Sequence, residues 1–360
     1  MNVMGELQCY ATVARSDVAA IMPQIRDRLA SYQAVIAAEA PDSVRMEYPF
    51  GWLALRWDAA GLVLQGGAEA ATGLARLKDL MATAVRVYAR PNPPAVVWQG
   101  DNAGDTHLES FRLMEVAASV RITPHMQRVR LHGTGLDRFA AFGAMHVRLQ
   151  LPTPEVPAPV WPIAGPDGLP LWPDPENKPA PRVYTVRQLN AAEGWMDIDL
   201  LLHDTDGPGA TWARTVQVGE HVGVIGPVGR PLKPQADHYL LGADETGLPA
   251  IARMLESLPA AASGHAFVEV AREADVQPIA NQTGIALHWI YRGDAPAGAA
   301  LEAAILAQPF PSGNAFGWFA AEAAHATAVR EYWRGTLGLG RDQTLVAAYW
   351  RRGTSGHMAG

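Results

Sequence analysis

Six consecutive residues, Arg182-Val183-Tyr184-Thr185-Val186-Arg187, combine two cations, a phenol, a hydroxyl and two valines. In a strand, alternate side chains share a face. Arg182, Tyr184 and Val186 then point one way, and Val183, Thr185 and Arg187 the other. Local twist at a strand end can let both faces contribute to one site. A flavin needs an aromatic or aliphatic surface for its ring, hydrogen bonds for its polar edge and positive charge for its pyrophosphate. This stretch supplies all three. Taken alone, an alternating strand with two arginines is more often a solvated face.

Two further stretches carry related chemistry. The first is Asp197-Ile198-Asp199-Leu200-Leu201-Leu202-His203. The second is Gly207-Pro208-Gly209-Ala210-Thr211-Trp212-Ala213, whose small residues allow close backbone approach. If a helix opens at Thr211 and Trp212, its free N–H groups suit a phosphate. As single signals these are weak: Gly-Pro-Gly is commonly a turn, and a lone His203 is commonly structural. Gly226-Pro227-Val228-Gly229 is another tight turn.

Other chemistry is limited by composition. The one cysteine, Cys9, rules out an internal disulfide framework and a four-cysteine zinc or iron–sulfur site. The eleven histidines form no HxxxH or HExxH pattern. Electrons carried by this chain would therefore travel on an organic cofactor. The net charge of −7 argues against a general nucleic-acid binder. Locally the balance reverses: Arg112 to Arg148 holds six arginines against Glu115 and Asp137. The first residues lack a basic region followed by an apolar run. No stretch reaches the ~18 apolar residues of a membrane helix. The expectation is a soluble, cytoplasmic chain without membrane insertion.

The elements that would position these residues fall into three blocks. Residues 1–90 read as a small α+β module, with helices over Asp17–Ala40 and Ala70–Ala89 and short strands at Val44–Tyr48, Trp52–Trp57 and Leu62–Gln65. Residues 91–109, opening on Arg90-Pro91-Asn92-Pro93-Pro94, read as a linker. Residues 110–235 hold short alternating strands that suggest an antiparallel barrel or sandwich. They are interrupted by Pro152–Pro181, where eleven of thirty residues are proline. That insert is either a lid or binding loop, or a stiff surface excursion. Residues 236–360 alternate strand and helix, which implies a parallel sheet covered on both faces.

In order, Arg-x-Tyr-Thr-x-Arg at Arg182, Asp-(x)3-His at Asp199, Gly-Pro-x-x-x-Trp-Ala at Gly207 and Gly-Pro-x-Gly at Gly226 resemble the siderophore-interacting protein family. These are flavin-dependent ferric-siderophore reductases related to the ferredoxin–NADP reductases. His125–Val129 and His146–Pro152 are similar to that family's early barrel strands. Leu241–Ile251, with Asp244-Glu245-Thr246, resembles its strand-to-helix turn, where an acidic segment replaces a glycine-rich phosphate loop. Trp318–Glu322 and Tyr349–Gly353 resemble its later signatures. The resemblance covers Ser110 to Gly353, roughly two-thirds of the chain. Residues 1–90 resemble a small domain of unknown function sometimes fused ahead of this reductase. That domain carries histidines in its helices. This sequence has none there, which puts any metal or ligand role of the block in doubt.

The resemblance implies a ferredoxin reductase-like fold: a β-barrel FAD-binding domain, then an α/β domain for the electron donor. It implies FAD-dependent reduction of ferric siderophores with release of Fe(II), and NADH, NADPH or reduced ferredoxin as donor. Arg182, Val183, Tyr184 and Thr185 would contact the isoalloxazine and ribityl part, and Arg187 a phosphate. Asp199, Leu201 and His203 would line the adenosine or phosphate side. Gly209, Ala210, Thr211 and Trp212 would offer backbone amides to the pyrophosphate. Thr246, Tyr349 and Trp350 complete the cofactor set. Tyr349 and Trp350 are placed to cover the flavin's outer face, or to serve as core aromatics. Arg128, Arg148, Arg351 and Arg352 are the cations expected to meet an anionic ferric siderophore. No general acid or base and no metal site is implied. A monomer or weak dimer is expected. The alternatives are a flavoprotein reductase for another acceptor, or a siderophore-binding protein that has lost flavin.

Overall fold

The computed structural model describes residues 6–32, 34–141, 145–203, 207–229 and 235–354. They form two compact units: residues 1–111 with 158–178, and residues 112–157 with 179–360.

The first unit is an α+β module. Its strands are β1 (Leu7–Ala14), β2 (Val35–Ala40), β3 (Ser43–Tyr48), β4 (Gly51–Trp57), β5 (Gly61–Ala68) and β6 (Gln99–Gly100). They form one sheet in the order β2-β3-β4-β5-β1-β6. Two helices, α1 (Val18–Ala30) and α2 (Ala71–Tyr88), turn Ile25, Leu29, Leu74 and Leu77 into the core. The expected long first helix ends ten residues early, and Val35–Ala40 is instead an exposed edge strand on β3. Alanine and glutamate favour helix locally, but cross-strand pairing outweighs that weak preference.

Residues 91–109 contribute Val96 and Trp98 to this core, both 5% exposed. The middle of the proline-rich insert joins them. Its two-residue strands β10 (Ile163–Ala164) and β11 (Pro170–Leu171) pair with each other. Leu169 is 4% exposed within the module's core, and Trp98 Nε1 donates to the Asp167 carbonyl at 2.8 Å. The insert is thus partly core material of the first unit, and not a free excursion.

The second unit begins with a closed barrel of six antiparallel strands. These are β7 (Phe111–Thr123), β8 (Met126–His132), β9 (His146–Leu151), β12 (Ala180–Asn190), β13 (Trp195–Leu201) and β14 (His221–Val228). Around the barrel they run β12-β13-β8-β7-β14-β9. Their alternation places Val129, Leu131, Val147, Leu149, Met196, Ile198 and Val224 inside, each fully buried. A short helix α3 (Asp137–Ala141) precedes β9, and α4 (Pro208–Thr215) follows β13.

The α/β part carries β15 (His238–Ala243), β16 (Ser263–Val270), β17 (Gly284–Tyr291), β18 (Ala315–Glu322) and β19 (Thr344–Trp350). All neighbours are parallel, in the order β17-β16-β15-β18-β19. Helices α5 (Leu248–Ser257), α6 (Ala299–Ala307) and α7 (Ala323–Arg330) connect them. A π-turn, Glu331–Thr336, extends α7 and buries Trp333. Both faces of the sheet are covered, by separate apolar clusters around Leu241 and Phe319. The junction between barrel and α/β part, at residues 230–234, lies outside the described residues.

Candidate functional site

Strands β9 and β12 are paired so that Thr185 opposes His146, Val183 opposes Arg148 and Pro181 opposes Gln150. Opposed residues share a face. The outer face of this pair therefore carries an imidazole, a hydroxyl, a guanidinium and an amide beside an exposed valine. Val147, Leu149 and Leu151 between them fill the barrel. Arg182 and Tyr184 leave β12 on the other side, toward the start of α4.

At α4 the fit is tight. A Cβ added to Gly209 would lie 2.0 Å from Tyr184 Oη and 3.9 Å from Arg182 Cγ. Only glycine lets the helix start approach the Tyr184 hydroxyl this closely. Burial pushes the Tyr184 phenol up to about 12, against the opposing pull of Arg182. Pro208 has no N–H, and Thr211 N–H is taken by the Gly207 carbonyl at 3.0 Å. The N–H groups of Gly209 and Ala210 have no acceptor one turn back within α4. The first turn holds no acidic residue. A cation, a phenol and two amides thus surround one helix N-terminus, a suitable arrangement for a phosphate. His203 lies beside it, since a Cβ on Gly207 would sit 3.3 Å from His203 Cε1.

The outer face of β9 is also incomplete by itself. Gln150 is fully buried, yet both its amide atoms lack a hydrogen-bond partner among the described residues. The same holds for Thr185 Oγ1. Each such orphan costs about 1–3 kcal/mol unless a ligand or water satisfies it. Arg148 has no ion-pair partner among the described residues, and burial lowers its pKa. Gln150 and Thr185 fit the polar edge of a flavin, and Arg148 fits an anion beside it. The sequence signal for His146 and Gln150 was the period-two run His-Val-Arg-Leu-Gln-Leu, polar on one face only.

Several expected contacts have other roles. Arg187 is 5% exposed and forms a two-pronged pair with Glu256 of α5, at 2.8 and 2.7 Å. Its charge is neutralised there, and it is not free for a phosphate. Asp199 is held by both prongs of Arg128, at 2.7 and 2.8 Å, and Asp197 likewise by Arg130. Neither Asp199 nor Arg128 is therefore a free ligand for cofactor or substrate. Leu201 is half-buried at the end of β13. Trp212 turns its ring into the barrel core. Thr246 spends both its N–H and its hydroxyl on Asp244. Trp350 Nε1 donates to the same carboxylate at 2.7 Å. Arg351 is exposed, whereas Arg352 donates to the Ala297 carbonyl at 3.2 Å.

Tyr349 is tied to the barrel. Its hydroxyl lies 2.6 Å from His146 Nε2, with the rings edge to face at 5.5 Å. Burial, assisted by the charge of Arg253, depresses His146 to about 4. Burial also raises the Tyr349 phenol. Both rings are then neutral at pH 7, and the hydrogen bond carries no net charge. The unfolded chain protonates His146 below about pH 6.5, while the folded chain resists until about 4. This contribution to stability is complete above pH 6.5 and is lost as pH falls toward 4. Between pH 7 and 5, wild type should lose about 2 kcal/mol more unfolding free energy than His146→Gln. Urea titrations at the two pH values measure this, and equal losses would refute it.

Residues 115–231 match the siderophore-interacting FAD-binding domain, and residues 236–353 match the siderophore-interacting protein family. The ferric vibriobactin reductase of Vibrio cholerae is 32% identical over 246 residues, covering 67% of this chain and 90% of that protein. Among solved structures, a siderophore utilization protein from T. fusca is 40% identical with a TM-score of 0.61. It matches 68% of this chain and 94% of its own. The siderophore-interacting protein of Aeromonas hydrophila is 31% identical with a TM-score of 0.58, over 68% and 93% of the two chains.

Proposed function

Because this chain belongs to the siderophore-interacting protein family, we propose that it uses FAD to reduce ferric siderophores and release Fe(II). The observation that carries this reading is the start of α4, where Gly209 lets Tyr184 and Arg182 come close to the first-turn amides.

In this reading Arg182 and the amides of Gly209 and Ala210 hold the pyrophosphate. Tyr184 and Val183 flank the ribityl and ring portions. Thr185 and Gln150 meet the ring's polar edge, which ends their isolation. The Tyr349–His146 hydrogen bond fixes the end of β19 to β9 beside them. Bound FAD supplies the ability to accept two electrons together and pass them on singly. Arg148 and Arg351 concentrate an anionic ferric complex near it, and Arg352 adds charge from its tether at Ala297. Iron reduced to Fe(II) is held less tightly by hard oxygen donors and leaves. No proton transfer to the siderophore is required.

A reduced pyridine nucleotide or reduced ferredoxin is the proposed donor, and a cytoplasmic monomer or weak dimer the proposed form. No described helix is long and apolar enough to cross a membrane. The test is direct. Purified protein should show bound-flavin absorbance. After photoreduction it should yield two Fe(II) per flavin from a ferric siderophore, read with a ferrous chelator. A protein that takes up no FAD, or whose reduced flavin leaves the ferric complex untouched, would exclude this function.

A further inference from the structure

In an open parallel sheet, ligands bind where strand order reverses, beyond the carboxyl ends of the strands. Here the reversal lies between β15 and β18. A dinucleotide pyrophosphate at that place needs free N–H groups at the start of the following helix. Thr246 N–H goes to the Asp244 carboxylate at 2.9 Å. Gly247 and Leu248 N–H both go to the Asp244 carbonyl at 3.0 Å. Pro249 has none. Ala250 and Ile251 N–H go to the Gly247 carbonyl, at 3.0 and 3.2 Å. From Thr246 to Ile251 every amide is already committed.

At the other two helix starts along this edge a carboxylate again takes amides of the first turn. Glu269, fully buried, accepts from Gly298 and Leu301 N–H at 2.8 and 3.1 Å and so caps α6. Glu322 accepts from Ala324 N–H at 2.6 Å and caps α7. Each cap comes from the strand end leading into the crevice. Asp244 is further locked by Trp350, and Glu245 beside it pairs with Arg292. A carboxylate thus sits at each of the three helix starts where backbone amides would receive an anion. The start of α4 is the contrast: its first turn holds no acidic residue, the Gly209 and Ala210 amides have no acceptor among the described residues, and Arg182 lies adjacent.

The geometry points to an electron donor that is recognised only through its reduced nicotinamide ring, with the adenosine diphosphate half of a dinucleotide left unbound. This rests on the flavin-reductase reading above. In the donor step a C–H bond of the dihydropyridine breaks. Its hydride, carrying two electrons, passes to the flavin, and the donor leaves as an aromatic pyridinium. One solvent proton completes reduced FAD. None of these events needs the pyrophosphate. Asp244, Glu269 and Glu322 are the residues that determine this specificity, by closing the crevice.

Two measurements on the flavin-loaded protein test it. Anaerobic stopped-flow bleaching should give second-order rate constants for NADH, NADPH and reduced nicotinamide mononucleotide that agree within about tenfold. Calorimetric titration with ADP-ribose and with 2′,5′-ADP should give no saturable binding tighter than about 1 mM. A dinucleotide preference beyond tenfold, or tighter binding of either adenine compound, overturns the inference. Bleaching by none of the three also overturns it. If the photoreduced protein still releases Fe(II) in that case, the flavin-reductase reading stands. Failure of the photoreduced protein to reduce a ferric siderophore defeats the parent reading instead.

Discussion

Gly209→Ala should leave the protein folded but weaken its hold on FAD, raising the dissociation constant about 5- to 150-fold. The added Cβ would lie 2.0 Å from Tyr184 Oη, far inside contact distance. Either Tyr184 swings away or α4 retreats from it. The first loses an aromatic surface, worth about 1 kcal/mol. The second weakens amide hydrogen bonds to a charged phosphate, worth about 1.5–3 kcal/mol. Losses of about 1–3 kcal/mol correspond to the stated range. Without flavin the variant should lose little stability, because alanine's helix preference of about 0.5–1 kcal/mol offsets part of the cost of displacing Tyr184. That separates loss of the site from loss of the fold. Tyr184→Phe removes the clashing oxygen and leaves the nearest ring carbon, Cζ, at 3.3 Å. Gly209→Ala combined with Tyr184→Phe should therefore bind FAD more tightly than Gly209→Ala alone. The readouts are flavin-to-protein absorbance ratio and titration of FAD fluorescence quenching. Full flavin content in Gly209→Ala would remove Tyr184 and the α4 start from the cradle.

The sequence made this site legible where the signal was local. The Arg182–Thr185 alternation and the small residues at Gly207–Ala210 needed only strand periodicity and backbone reach. Pairings between distant residues were not legible. Asp197 and Asp199 look like free ligands until the β13–β8 register sets them opposite Arg130 and Arg128. Arg187 looks like a phosphate cation until α5 brings Glu256 to it from 69 residues away. The closed turn at Asp244 was half visible. Its charge could be read, but the commitment of each amide could not. The proline-rich insert misled in another way. Its composition signals a loop, and nothing nearby announces that Leu169 belongs to the core of a module built from the chain's first hundred residues. Residues 34–40 failed because helix propensity is a weak local preference, overruled by pairing with β3.

The sorting of cations by partner leads to the second large effect, on substrate. Of the arginines between positions 112 and 148, Arg128 and Arg130 are neutralised by buried aspartates. Arg121 is exposed and hydrogen-bonds the Pro124 carbonyl and Gln127. Arg148 combines burial, absence of an ionic partner among the described residues and a place on the strand facing Val183. An unneutralised charge in a partly dry site acts over distance. At about 6 Å and an effective dielectric constant of about 20, one unit charge is worth about 3 kcal/mol. Salt at 0.15 M reduces this over a Debye length of about 8 Å. Arg148→Glu should accordingly raise KM for a net-anionic ferric siderophore at least ~10-fold, equivalent to about 1.4 kcal/mol. For a neutral ferric siderophore the change should stay below about threefold. Arg148→Gln should give an intermediate rise, since it removes the charge without reversing it. Arg121→Glu, on the exposed end of β7, should leave both values unchanged. FAD affinity is measured for every variant, so that a weakened cofactor is not mistaken for a weakened substrate. Raising ionic strength should narrow the gap between wild type and Arg148→Glu for the anionic complex only. Equal KM changes for anionic and neutral complexes would mean that Arg148 shapes the flavin site rather than attracting the substrate.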